Sequence, residues 1–283
     1  MEILENLVTD LDGTLLNSNH IVSRKTINAL HDLFEREGKL IIATGRPYFE
    51  VEPILYSIGK PCPVICLNGA IVYDHNRHVI FSQPIDTDIV LRILHLMEDE
   101  NLNYDVTTKE GTIKVGTINR LIEIFQTSRH SIDLKLLKEV ASEGYVQFMD
   151  ENDLLNLIQE EIIDVYKLVV YSDNQELLGD LSWKIREKEG VEVSSSAEVN
   201  LEINAQGVSK GRALKFLADK YGYNLESFIS AGDSLNDLSM LKVCGFPVAM
   251  ANADYEVKEA AQLITSSNDE NGIAEVILRE ILH

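Results

Sequence analysis

The sequence predicts an α/β protein: a parallel sheet flanked by helices, with a second, smaller α+β domain inserted into it. Three observations lead there. Short apolar runs alternate with stretches of helical periodicity through about the first seventy residues. That rhythm changes near Ile71 and returns after Asn200. In the outer stretches the apolar runs end in acidic, hydroxyl or glycine residues, and in the middle stretch they do not.

The first run, Leu7-Val8, leads into Thr9-Asp10-Leu11-Asp12-Gly13-Thr14. On a strand, Asp10 and Asp12 share one side by the alternation of side chains, and Gly13 lets the chain turn. Ser23 is placed to cap a helix whose face is Ile27, Leu30 and Phe34, with Gly38 as its stop. Leu40-Ile41-Ile42-Ala43 then ends in Thr44-Gly45-Arg46-Pro47, and a second helix is expected from Pro47. Val64-Ile65-Cys66-Leu67 ends in Asn68-Gly69, where Asn68 is read as a turn residue. Ile71-Val72-Tyr73 and Val79-Ile80-Phe81 flank a polar turn and read as a hairpin.

Pro84 introduces a helix carrying Ile89, Val90, Ile93, Leu94 and Met97. Alternating strand and helix candidates continue to Val193, among them a strand Tyr166 to Tyr171 and a helix from Gln175 to Glu189 stopped by Gly190. These define an inserted domain over 84–193, leaving 1–83 and 194–283 as one discontinuous domain. In the last part, Leu201-Glu202-Ile203 precedes Gly207-Val208-Ser209-Lys210-Gly211 and a helix, and Phe228-Ile229-Ser230-Ala231 ends in Gly232-Asp233-Ser234-Leu235-Asn236-Asp237. A strand at Phe246 to Met250, a helix from Asp254, a short Leu263-Ile264 strand and a helix after Gly272 complete the chain.

With 46 acidic and 25 basic residues, the formal net charge of −21 predicts a surface that repels nucleic acid and anionic membrane. An anionic ligand must then be drawn by local positive charge or a bound metal. Cys62, Cys66 and Cys244 have neither an even count nor a zinc-ligand spacing, so no disulfide framework is expected. Met1 to Glu5 offers no basic, apolar leader, and no stretch approaches the ~18 apolar residues of a membrane span. The expected location is cytoplasmic. The seven histidines show no paired metal spacing, His31 being placed on a helix face, and Trp183 and Glu160-Glu161 read as packing and surface.

Ligands of open parallel sheets gather outside the carboxyl ends of the strands. Asp10, Asp12, Thr44, Asp233 and Asp237 all follow apolar runs, which puts them on one rim, and Lys210 stands at a helix start that attracts anions. Phosphate-ester cleavage requires such a set. Asp10 can attack phosphorus to form an aspartyl-phosphate, and Asp12 can give a proton to the leaving oxygen and take one from water. Asp233 completes an oxygen site suited to Mg2+, Thr44 can hydrogen-bond the phosphoryl oxygens, and Lys210 can offset their charge.

Asp10-Leu11-Asp12-Gly13-Thr14-Leu15-Leu16, Ala43-Thr44-Gly45-Arg46, Gly207-Val208-Ser209-Lys210-Gly211 and Gly232-Asp233-Ser234-Leu235-Asn236-Asp237 resemble, in order, the four motifs of the haloacid dehalogenase superfamily. The last form, with a large insertion between the second and third motifs, is similar to the Cof-type hydrolases. The resemblance covers essentially the whole chain. It implies a Rossmann-like core and a mixed α/β cap over the substrate, with Asp10 as nucleophile and metal ligand. It also implies that Asp12 is the acid/base and binds the metal by its carbonyl. Thr44, Gly45, Lys210 and Asn236 match phosphate-binding positions, Asp233 a metal ligand, and Asp237 a residue supporting the metal's water shell. Ala205 stands where the family often has proline. The function expected is a Mg2+-dependent phosphatase of a small phosphorylated metabolite, such as a sugar phosphate or phosphorylated cofactor. A sugar-phosphate mutase of the same superfamily, a phosphoacceptor signalling module and a non-catalytic metabolite-binding regulator are the alternatives. Substrate identity and oligomeric state stay open.

Overall fold

The computed structural model describes residues 4–100, 102–126 and 143–282. Met1 to Ile3, on which part of the N-terminal reading rests, and 127–142 of the inserted segment lie outside the described residues. Fourteen strands are β1 (Asn6–Thr9), β2 (Leu40–Ala43), β3 (Val64–Cys66), β4 (Ile71–Tyr73), β5 (Val79–Ser82), β6 (Asn103–Thr107), β7 (Thr112–Val115), β8 (Val146–Phe148), β9 (Lys167–Tyr171), β10 (Val191–Ser194), β11 (Asn200–Ala205), β12 (Phe228–Gly232), β13 (Phe246–Ala249) and β14 (Leu263–Ile264) among those residues. They divide between two compact units, Met1–Ser82 with Ser209–His283, and Gln83–Val208.

The first unit holds an eight-stranded sheet in the order β14-β13-β12-β1-β2-β3-β4-β5. From β14 to β3 the pairs are parallel, and β4 and β5 close the edge antiparallel as the hairpin. The parallel strands are short and apolar because helices cover both faces. Val8, Ile41 and Ile65 pack with Leu214, Leu217, Phe228 and Met240 in a core sealed from solvent. Ser23 caps the helix Arg24–Glu35 by accepting from Thr26 N at 3.1 Å. That helix ends before Gly38, with Glu37 taking the left-handed turn. Gly38 N–H closes the helix end by donating to the Leu33 carbonyl at 3.0 Å, and a Cβ there would lie 2.6 Å from the Glu5 carbonyl oxygen, so this glycine serves both the cap and a close approach. His31 sits on the helix face and bonds the Ile58 carbonyl through Nε2 at 2.9 Å.

The second unit holds a six-stranded sheet in the order β10-β11-β9-β6-β7-β8. Strand alternation puts Tyr104, Val106, Leu168, Val170, Leu201 and Ile203 on one buried face. The other face carries buried polar pairs: Lys167 with Glu202 at 3.0 Å, and Lys114 with Asp105, which also accepts from the Tyr171 hydroxyl at 2.9 Å. One boundary needs correction. The sequence reading returns the chain to the first domain at 194, whereas β10 and β11 pair with β9 and the second unit runs on to Val208. Leu201-Glu202-Ile203 carries no mark of which sheet it joins, because pairing is decided by strands far off in sequence. Among the described residues, no helix is long and apolar enough to cross a membrane.

Candidate active site

Four parallel strands of the first unit deliver polar residues at their carboxyl ends: β1 delivers Asp10, β2 Thr44, β3 Asn68 and β12 Asp233. Thr9 is in register with Ala231 and Ile42, so the loops beyond β1, β2 and β12 start side by side. Asp10 stays extended, and its N–H donates to the Ala231 carbonyl at 3.0 Å. From Leu11 the chain winds, with Gly13 at φ 71°. Asp12 therefore reaches the rim by this winding and not by strand alternation, which corrects the sequence argument that one strand side brings both acids together.

Lys210 is completely buried at the first turn of the helix Lys210–Tyr221, which Ser209 caps by accepting from Arg212 N at 3.2 Å. Its Nζ stands 3.0 Å from Asp10 Oδ1 and 2.7 Å from Asp237 Oδ1. Gly211 makes that reach possible: a Cβ there would lie 2.1 Å from the Ser239 carbonyl oxygen, so the helix approaches Ser239 directly. The other Asp237 oxygen accepts from Asp233 N at 2.9 Å and Ser234 N at 3.1 Å, tying the loop after β12 into a tight turn. Asp233 accepts from the Thr14 hydroxyl at 2.8 Å and the Ser234 hydroxyl at 3.2 Å.

Asp10, Asp233 and Asp237 each offer a carboxylate oxygen within 4.8 Å of the others. Burial pushes Asp10 well above the usual carboxylate range; Lys210 pulls it down, and Asp237, Asp233 and Asp12 push it further up. Asp233 is pushed up to about 7 by burial first and Asp237 second, with Thr14 and Lys210 opposing. Burial works against the charge on Lys210, but Asp10 and Asp237 more than offset it and hold its pKa above the ordinary lysine value. The trio is thus short of positive charge even with Lys210 present. Its hard oxygen donors fit a divalent cation such as Mg2+; Asp237 is already tied to the Lys210 ammonium and two backbone N–H groups, whereas the Asp233 carboxylate oxygens accept, among the described residues, only from hydroxyls.

Asp12 stands apart from this trio. Its carboxylate takes Arg46 Nε at 2.6 Å on one oxygen and Arg46 Nη2 on the other, with His20 Nδ1 3.7 Å away. Surrounding protein atoms disfavour its charge, but Arg46 first and His20 second overcome this and hold Asp12 well below the usual carboxylate range. Thr44 is buried, and its hydroxyl oxygen accepts from Arg46 N at 3.1 Å, which leaves the hydroxyl hydrogen for another acceptor. Gly45 lies between these two residues. Asn236 Nδ2 donates to Asn68 Oδ1 at 3.2 Å. Sequence reasoning assigned no site role to Arg46, Thr14 or His20, and read Asn68 as a turn residue. Asn68 carried the signal that marks Thr44, a polar residue closing an apolar run, and Arg46 lay inside a quoted motif.

A family model described as haloacid dehalogenase-like hydrolase matches residues 7–277. The phosphatase YwpJ of Bacillus subtilis (strain 168) is 36% identical over 280 residues, 96% of this chain and 98% of that protein. The same organism's 5-amino-6-(5-phospho-D-ribitylamino)uracil phosphatase YcsE is 26% identical over 276 residues, 98% of this chain and 95% of that protein. Among solved structures, a haloacid dehalogenase-like hydrolase from B. subtilis superposes with a TM-score of 0.85 at 34% identity, covering 98% of this chain and 99% of that one. Because the match runs through both units and takes in the loops that gather at this rim, the chain belongs to the haloacid dehalogenase-like hydrolases of Cof type and is a phosphoric monoester hydrolase of that family.

Proposed function

We propose that the protein hydrolyses a small phosphorylated metabolite, a sugar phosphate or phosphorylated cofactor, through a phosphoryl group carried on Asp10. The observation that carries this reading is Lys210 Nζ lodged between Asp10 and Asp237, with Thr44 and Asp233 on the neighbouring strand ends. An Asp10 oxygen attacks phosphorus, and the bond from phosphorus to the ester oxygen breaks. Asp12 protonates that oxygen as it leaves. Water then attacks the phosphorus of the acyl phosphate, Asp12 takes its proton, and inorganic phosphate departs as the Asp10 carboxylate is regenerated. Mg2+, held by Asp10, Asp233 and the Asp12 carbonyl, would supply the charge that lets Asp10 ionise and would polarise the phosphoryl oxygens. Lys210, Thr44, Gly45 and Asn236 cradle the phosphoryl group, and Asp237 orients Lys210 and the turn bearing Asp233.

While Arg46 grips both oxygens of Asp12, that residue is in the form that accepts a proton from water. Giving a proton to the leaving group requires the pair to open. We take the unit Gln83–Val208 as the cap that selects the leaving group, and the relative named for a phosphoribityl substrate supports a polar, hydroxylated one. The three free cysteines accord with a reducing, cytoplasmic location. Phosphate release from sugar phosphates, pyridoxal phosphate, flavin mononucleotide and nucleotides, with magnesium and with chelator, tests the reading. Magnesium-dependent release is expected, and an isomeric sugar phosphate in place of free phosphate would turn the assignment to a mutase.

A further inference from the structure

The turn after β3 takes three consecutive positive φ angles, Leu67 at 51°, Asn68 at 60° and Gly69 at 109°. A leucine in that region, almost wholly buried, is uncommon enough to ask what holds it there. The turn touches three of the loops that gather at the rim. Leu67 N donates to the Arg46 carbonyl at 3.2 Å and Asn68 N to the Thr44 carbonyl at 3.0 Å, clipping the loop after β2. The Asn68 side chain accepts from Asn236 Nδ2 at 3.2 Å, across 168 residues. Gly69 lies so close to the start of the Lys210 helix that a Cβ would stand 2.4 Å from the Ser209 carbonyl oxygen. The opposite end of the Asn236 amide, Oδ1, is buried with no hydrogen-bond partner among the described residues. The bond to Asn68 is therefore the protein contact that sets the orientation of that amide.

We propose that Asn68 is a positioning residue of the phosphate cradle, fixing the Asn236 amide with its side chain and the Thr44 loop with its backbone. The inference rests on the phosphatase reading. A simpler account has asparagine there only because it tolerates a positive φ. Glycine tolerates it better, so the two accounts part on one substitution. Asn68→Gly keeps the turn and its backbone donor while removing the side chain. On the simpler account it is neutral; on ours it frees Asn236.

The experiment is calorimetric titration of inorganic phosphate, in magnesium, into wild type, Asn68→Gly, Asn236→Ala and the double variant, each with its thermal midpoint. Asn68→Gly should weaken phosphate about tenfold, the upper range for one neutral hydrogen bond, with the midpoint held. The double variant should be no weaker than Asn236→Ala alone, since both changes remove one interaction. Phosphate affinity unchanged in Asn68→Gly, or losses that multiply in the double variant, would overturn the proposal while the phosphatase reading stands. A wild type that binds no phosphate would overturn both. Should Asn68→Gly fail to fold, the side-chain amide resonances of wild type decide: Asn68 and Asn236 shifting along one phosphate-binding curve supports the coupling, and an unmoved Asn68 contradicts it.

Discussion

Arg46 holds Asp12 by both carboxylate oxygens, Nε reaching Oδ2 at 2.6 Å and Nη2 reaching Oδ1, so the residue assigned to proton transfer is locked in a two-point ion pair. Such pairs are geometrically specific as well as strong. Arg46 in turn lies 3.9 Å from Glu50 on the following helix. The guanidinium thus links the proton-transfer group to the loop that carries Thr44.

Removing the pair should move the pH dependence in a defined direction. Arg46 lowers the pKa of Asp12, so Arg46→Ala lets it rise toward the ordinary carboxylate range. Where hydrolysis of the acyl phosphate limits turnover, Asp12 must be deprotonated, and the acidic limb of kcat should shift to higher pH. The pH profiles of kcat for the two proteins check this; superimposable acidic limbs would contradict it.

Stability without metal should fall as pH rises. Asp233, pushed up to about 7, binds a proton in the folded protein that it has lost in the unfolded chain between about pH 4 and pH 7. Its contribution is therefore full below the unfolded pKa and lost as pH climbs through about 7. Magnesium held at Asp233, as proposed, would compete with that proton. Thermal midpoints should decline from pH 5 to pH 8 in chelator, and magnesium should raise the midpoint more at pH 8 than at pH 5.

Gly13 is the point where the backbone must pass the acids. It sits at φ 71°, and a Cβ would fall 2.4 Å from Asp233 Oδ2. Gly13→Ala should cost phosphatase activity more than a hundredfold and weaken the magnesium-dependent rise in thermal midpoint, both readable on the purified variant.

In the second unit, Lys167 and Glu202 are both sealed from solvent and 3.0 Å apart. Lys167→Met leaves the Glu202 carboxylate buried without its cation and should lower stability by about 3 kcal/mol by denaturant titration. The double variant Lys167→Met with Glu202→Leu should recover much of that loss, since no charge is then stranded.

The rim was legible in the sequence where the signal is local. Asp10, Thr44 and Asp233 each close an apolar run, and such runs end at the carboxyl edge of a parallel sheet. Asp12 was harder, because Gly13 turns the chain before strand alternation applies. Leu201-Glu202-Ile203 looked like a return to the first sheet, as its pairing with β9 depends on residues thirty or so positions away. Asn68 read as a turn residue, and its left-handed backbone bears that out; its bond to Asn236 is invisible at a separation of 168 residues.

The central claim is that Asp10 carries the phosphoryl group, and mass spectrometry of acid-quenched protein during turnover tests it most directly. A phosphoryl adduct on the peptide containing Asp10, present in wild type and missing in Asp10→Asn that has lost phosphate release, is the predicted result. Phosphate release at near wild-type rates by Asp10→Asn, or turnover with no adduct on that peptide, would contradict the account.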